Sequence, residues 1–409
     1  MKQEVAGHEE ERVITDEMLA LARSRIGVPM KVHAPFNEFV TVDAIRHFAH
    51  GTGDDNPLYC DPTYAVDTRW ASMITPPLFY RSTGNPEARE WSEEDRARAR
   101  DPLSGIHSWY VGETIHWLRP IHPGDRLSAR RFRQDFVEKR SSFTGGRAVI
   151  EVVRQEYRNR EGDLVVVADE KEFRGGRQKK WGERKKYAHY ERPSYSPEDI
   201  EDLDRAYDSE TRWGSAPRYW EDVAVGDELP PLVKGPLTVT DMVNWKMGGG
   251  LAMLFHGAHR LAYQWRKAHP RGYVRNADGV PDIAESVHWD EHIARLTGNP
   301  YPYDFGEQRV AWLAHIVTDW MGDDGWLLSL ESQVRRFVYI GDTVWIRGQV
   351  VEKATSDSER RVTINVRAED QRREVTAIGT ATALLPSRAA GPVSLPPKLT
   401  LDSAGQPSG

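Results

Sequence analysis

TVDAIRHFAHGTGDDNPLY, residues 41–59, opens on a threonine, sets Val42, Ile45 and Phe48 at helical spacing, and runs into two glycines. A threonine side chain accepts from the free N–H groups that start a helix, and glycine takes the left-handed conformation that ends one. The stretch therefore predicts a short capped helix followed by a tight polar loop. Residues 238–256, TVTDMVNWKMGGGLAMLFH, follow the same plan. Thr238 aligns with Thr41, Val239 with Val42, Gly248 with Gly51 and Gly250 with Gly53, while Val239, Met242 and Trp245 repeat the apolar spacing. The chain carries a repeat.

The repeat extends downstream. WYVGETIHWLRPIHPGDRLSARRF (109–132) and WLLSLESQVRRFVYIGDTVWIRGQVVE (326–352) both read as strands broken by a Gly-Asp turn. AVIEVVRQEY (148–157) and LVVVADEKEF (164–173) follow the first, and RVTINVRAED (361–370) and VTAIGTATALL (375–385) follow the second. Alternation of this kind, with polar turns between, predicts antiparallel meanders. Each half is α+β. The expected division is a first unit over 1–175, a linker over 176–215, a second unit over 216–386 and a disordered tail over 387–409. The linker opens on a basic run, Arg174, Arg177, Lys179, Lys180, Arg184, Lys185 and Lys186, which reads as a solvated connector or a landing site for substrate phosphates.

Gly53-Asp54-Asp55-Asn56-Pro57-Leu58, with Ala65 six residues after Tyr59, resembles the signature of the MaoC-like dehydratases, the R-specific enoyl-CoA hydratases. That pattern runs small residue, Gly, Asp, any residue, Asn, Pro, aliphatic residue, His, five residues, then Ala or Ser. Thr52 to Leu58 and Ala65 match it, and Tyr59 stands where the family has His. The resemblance implies a double hotdog, two antiparallel sheets each wrapped around a central helix. It also implies a hydro-lyase of the enoyl-CoA hydratase or 3-hydroxyacyl-CoA dehydratase type, acting in fatty acid metabolism on a thioester of coenzyme A or acyl carrier protein. The alternatives are a hotdog thioesterase and a non-catalytic acyl-thioester-binding subunit of a heteromeric dehydratase.

Hydration of an enoyl thioester needs a base for water, an acid for the α-carbon and a donor for the enolate oxygen. Carried over from the family, Asp54 is the base and Asn56 braces its loop, while Tyr59, a phenol with a pKa near ~10, orients water or substrate or acts as the acid. In the second copy His256 aligns with Tyr59 and Leu251 with Asp54, so that loop is degenerate, and His256 is a further candidate. The family's oxyanion donor is a backbone N–H at the start of the central helix. In the first half the matching text is Ile74-Thr75-Pro76-Pro77, where Pro77 lacks that donor. In the second half Tyr303, Gly306 and Arg309 lead into VAWLAHIVTDWMG, so the expectation is a composite site in which the helix start of one half faces Asp54 of the other.

Other chemistries lack their residues. His288-Trp289-Asp290-Glu291-His292 has two His at i, i+4 but neither the zincin order nor a third ligand. No Walker loop, strand-linked GxGxxG or Gly-x-Ser-x-Gly elbow occurs. Neither a metal nor a cofactor is expected. The net charge of −7 provides no field for nucleic acid, and no run of about 18 apolar residues predicts a membrane span. The single cysteine, Cys60, and the absence of an apolar leader fit a cytoplasmic protein. A homo-oligomer or pairing with a second hotdog chain is expected.

Overall fold

The computed structural model describes residues 13–141, 146–176, 190–250, 257–356, 359–397, 400–401 and 407–408. The strands in chain order are β1 (Pro29–Met30), β2 (Asn85–Pro86), β3 (His107–Trp117), β4 (Ser128–Ser141), β5 (Gly146–Arg158), β6 (Leu164–Gly175) and β7 (Glu228–Lys234). There follow β8 (Tyr273–Arg275), β9 (Pro281–Ile283), β10 (Trp326–Val334), β11 (Val344–Ser356), β12 (Glu359–Asp370) and β13 (Val375–Leu384). One continuous sheet runs β1-β4-β5-β6-β3-β10-β13-β12-β11-β7, with β2 beside β4 and β8-β9 apart as a hairpin. The two meanders mirror one another, β3-β6-β5-β4 against β10-β13-β12-β11, and join where Ile115 of β3 pairs with Leu330 of β10. The architecture is a double hotdog, as the resemblance implies.

The two halves fill their concave faces differently. In the second half the central helix, Gly306–Met321, is buried from Gln308 onward. It comes close to the sheet because β13 turns small residues towards it: Ala377, Ala381 and Ala383 are inaccessible, and Trp312, Leu313, Ile316 and Val317 fill the space. In the first half the expected helix is only the six-residue 3-10 turn Pro77–Ser82. Pro76 is extended, Pro77 starts the turn, and Gly84 at positive φ followed by Pro86 stops the helix from continuing.

Polar side chains occupy the vacated face. Arg81 pairs with Glu113 at 3.0 Å, Glu170 at 3.0 Å and Glu307 of the central helix at 3.3 Å. Tyr80 and Tyr110 donate to Glu113 at 2.8 and 2.7 Å. Glu172 lies beside this group and accepts from the Ser108 hydroxyl, and burial, then the charge of Glu170, push it up to about 8. A raised carboxyl stabilises the fold while it holds its proton, so this contribution is present below the unfolded value and is lost as pH rises towards 8. Thermal melts from pH 5 to pH 9 should show Glu172→Gln losing less stability across that window than the parent. Equal slopes would show that Glu172 does not titrate there.

The repeat helices, Val42–Thr52 and Val239–Gly249, are capped as their threonines predict: Thr41 accepts from Ala44 N, and Thr238 forms a capping box with Asp241. They end at Gly53 and Gly250, both left-handed. The aligned pair Gly51 and Gly248 meet where the helices cross. A Cβ on Gly51 would lie 2.7 Å from the Asn244 carbonyl oxygen, and one on Gly248 would lie 2.6 Å from that of His47. Alanine ordinarily favours a helix over glycine by about 1 kcal/mol, but here it must push two helices apart. Gly248→Ala is expected to lose about 1–3 kcal/mol in urea denaturation, and a gain would show that the crossing yields.

Two segments are more ordered than expected. Pro197–Asp208 of the linker is a helix with a Ser196 capping box. Ser387 and Arg388 of the expected tail bond Glu221 and Asp222, and Val393 is buried. Arg174 ends β6 instead of starting the connector, and pairs with Glu151 and Asp101 at 2.7 Å each. The rest of the basic run, Arg177 to Lys186, lies outside the described residues.

Candidate active site

The loop after the first repeat helix is built by local hydrogen bonds. Asp54 N donates to Ala49 O at 2.9 Å, and the Asp54 carboxylate accepts from Asn56 N at 3.0 Å. Asn56 caps the Pro57–Cys60 turn through Leu58 N at 3.0 Å, with Pro57 at its first position. This closed loop holds the Asp54 side chain against the second half, with 4% of the residue exposed.

Asp54 meets the middle of the central helix. His315 Nε2 lies 3.5 Å from Asp54 Oδ1 and 3.1 Å from Asp319 Oδ2, one turn further along. Asp319 also accepts from Arg212 Nε at 2.9 Å, and Arg212 reaches Asp55 as well. Lys234, at the end of β7, donates to Gly53 O at 2.9 Å and lies 3.2 Å from His315 Nδ1.

The carboxylates are pushed in opposite directions. Burial raises Asp54 against the pull of His315. Burial also opposes the charge on Asp319, but His315 and Arg212 outweigh it and hold that group below the ordinary range. Divergent environments of this kind separate the group that carries a proton from the group that stays charged. Burial lowers Lys234, with Glu210 and Asp54 pulling the other way. Asp54, His315 and Asp319 have the donor atoms and spacing to hold a metal ion. Arg212 and Lys234 already balance the two carboxylates, so a divalent cation would leave buried positive charge uncompensated.

A narrow cleft between the halves ends at this cluster. Asn56, Tyr59, Thr318 and Asp323 form its polar part, and Trp70, Ile74, Pro76, Pro77, Trp117, Ile121 and Trp326 form apolar walls. It encloses about 40 Å³. The indole N–H of Trp70 donates to Asp323 O at 2.8 Å, that of Trp117 to Pro77 O at 2.7 Å, and that of Trp326 to Trp117 O at 2.8 Å. The tryptophan walls are therefore fixed and present only carbon to the cleft. Burial, and then Asp54, Asp319 and Asp323, keep the Tyr59 phenol well above its ordinary pKa. Burial and Asp54 likewise push the Cys60 thiol up to about 11, which leaves it inert. A polar mouth of about 510 Å³ shares Trp70, Arg119 and Pro120 with the cleft and also includes Arg69, His122, Asp125 and Glu161.

The structure thus brings Asn56, Tyr59 and Pro77 to one cleft, with Asp54 buried in the loop beside them. It does not bring Tyr303, Gly306 and Arg309 there. Nine residues of helix separate Gly306 from His315, about 13 Å along the axis. Gly306 is where Tyr110 packs, since a Cβ there would come 2.5 Å from that ring. Arg309 is buried on Asp304 at 2.7 Å, and Tyr303 stacks with Phe337 and His288. His256 lies outside the described residues. His315, Thr318 and Asp319 are new to the site. Their trace in the sequence is the i, i+3, i+4 set of polar side chains in VAWLAHIVTDWMG, a helix otherwise apolar all round.

Comparison with known proteins bears on the fold. Residues 24–168 match the model of the FAS1-like dehydratase domain region. The matched stretch resembles a MaoC-like hotdog dehydratase region. Over 153 residues, 37% of its length, the chain is 29% identical to a UPF0336 protein of Streptomyces avermitilis, 92% of which is covered. A UPF0336 protein of Thermobifida fusca is 29% identical over 112 residues, 27% of the chain and 70% of that protein. A solved MaoC-like dehydratase superposes with a TM-score of 0.58 at 18% identity, covering 89% of this chain and 99% of its own. A MaoC domain protein from Chloroflexus aurantiacus J-10-fl gives 0.52 at 12%, with 89% and 96% covered. At such identities the likeness carries the double-hotdog fold of the whole chain and not its chemistry. Among the described residues no helix is long and apolar enough to cross a membrane.

Proposed function

We propose that the protein is a hydro-lyase that adds water across the 2,3 double bond of an enoyl thioester, and removes it in reverse. The observation that carries this reading is the contact between Asp54 of the MaoC-like region and His315 of the other half. An acid–base pair of the residue types that the chemistry requires is remade across the repeat, although Tyr59 occupies the motif histidine's place. Both partners come from one chain, so the reading needs no second chain to complete the pair.

The division of labour follows from the geometry. Asp54, with His315 beside it, is the base for water, and Tyr59, which lines the cleft and feels the charge of Asp54, positions that water. Asn56 accepts through Oδ1 from Leu58, which leaves its amide nitrogen to donate to the thioester oxygen as negative charge develops there. The apolar slot takes the acyl chain. The mouth, with Arg69, Arg119 and His122, suits a phosphate-bearing carrier such as coenzyme A.

The test is incubation with 2-enoyl-CoA esters of graded chain length, following the conjugated absorbance and free thiol together. Loss of absorbance without thiol is the expected result. Thiol release would make the protein a thioesterase with Asp54 directing water at the carbonyl. No change in either would leave a binding subunit and end the hydro-lyase reading.

A further inference from the structure

Tyr59 and Thr318 line the cleft, and Asp54 and His315 do not. The one carboxylic acid among the described lining residues is Asp323, just past the end of the central helix. Its segment is held firmly. Asp323 N donates to Gly214 O at 3.0 Å, Asp323 O accepts from Trp70, and the neighbouring Asp324 O accepts from Arg69 at 3.1 Å. The carboxylate accepts from Tyr64 OH at 2.5 Å and is close enough to Tyr59 to raise that phenol. The residue is 4% exposed. Tyr64, Tyr59, Asp319, Asp324 and Arg212 are the titratable and charged groups around it.

Hydration needs two proton transfers of different kinds. A proton leaving water can pass along hydroxyl groups, so a buried pair can accept it through Tyr59. A proton delivered to carbon needs its donor in direct contact with that carbon. We propose that Asp323 is a second catalytic carboxylate, which exchanges the proton at the α-carbon while Asp54 and His315 serve the water; this rests on the hydro-lyase reading. In hydration, Asp54 takes a proton from water and the water oxygen bonds to C3. The π pair moves to C2 and the thioester oxygen, and the Asp323 carboxyl gives its proton to C2. Asp54 is left protonated and Asp323 ionised, and the proton returns between them through solvent at the cleft. Burial raises Asp323, which favours the protonated form this role requires.

Elimination from a 3-chloroacyl thioester separates the two groups. Chloride leaves with its bonding pair and needs no proton, so only the α-carbon acceptor is required. With the full chain, Asp323→Asn is expected to lower kcat by about 10²–10⁴-fold for both water and HCl elimination, with KM changed less than about threefold. Asp54→Asn should lose water elimination but keep HCl elimination within about threefold. Formate should restore turnover in part to Asp323→Ala, which a purely structural role would not allow. Near-parent turnover in Asp323→Asn, or a loss carried by KM that formate does not mend, overturns the assignment and leaves Asp54 and His315 in place. A parent protein inactive on every enoyl thioester removes the hydro-lyase reading itself.

Discussion

Asp54→Asn is expected to lower enoyl-thioester hydration by about 10²–10⁴-fold while the protein stays folded. Asparagine keeps the acceptor for Asn56 N, so the loop should hold its shape, and what disappears is the site for a proton. His315→Gln should bring a loss of the same order, because His315 touches Asp54 at 3.5 Å and Asp319 at 3.1 Å and links the two carboxylates. The double variant should be little worse than either single one, since groups that act as a unit are not additive. Steady-state rates for the three variants, with near-ultraviolet circular dichroism to verify the fold, check this. Multiplying losses would mean that Asp54 and His315 work independently, and undiminished rates in either single variant would remove that residue from the mechanism.

Arg309→Met should cost about 3–5 kcal/mol of stability, the largest loss foreseen for one surface-remote substitution. The Arg309 side chain is 2% exposed, its partner Asp304 is 0% exposed, and the two meet at 2.7 Å. Arg309 also donates to the carbonyls of Thr376, at 3.0 Å, and Arg336. Methionine fills much of the volume but leaves Asp304 and these carbonyls facing an apolar side chain. Burial already pushes Asp304 up to about 7. Without the arginine it should escape its penalty by keeping a proton. The sign follows: a raised carboxyl contributes stability that is present at low pH and lost as pH rises, so the variant should be more stable at pH 5 than at pH 8. Adding Asp304→Leu should recover most of the loss and flatten the pH dependence. A denaturation midpoint unchanged in Arg309→Met would show that water reaches the pair.

Much of this molecule was legible in its residues. Thr41 and Thr238 cap helices, Gly53 and Gly250 end them, and alternating runs pair as strands, because each of these is a local property of the backbone and of side chains one or two positions away. The gapless alignment pairs Gly51 with Gly248, and the structure brings these equivalent positions together where the two helices cross. The Asp54 loop was legible for the same reason: Asn56 and Pro57 fix it without outside help.

The partner of Asp54 was not. Tyr59 in the motif histidine's place says only that the local partner is missing. Which residue substitutes depends on how far along the central helix the first half docks, and that is set by packing between the halves. Gly306 admits Tyr110, and Ala381 and Ala383 let the helix sit low, so His315, nine residues beyond the helix start, comes to face Asp54 instead. The first half's short Pro77–Ser82 turn belongs to the same class, since prolines announce where a helix begins and not that a cluster around Arg81 will take its place. The sequence by itself determined the repeat, the strands and the loop that carries the carboxylate, because these are written in neighbouring residues. Only the tertiary structure decided what that carboxylate touches, because contacts between residues 54 and 315 come from the shape of two whole surfaces.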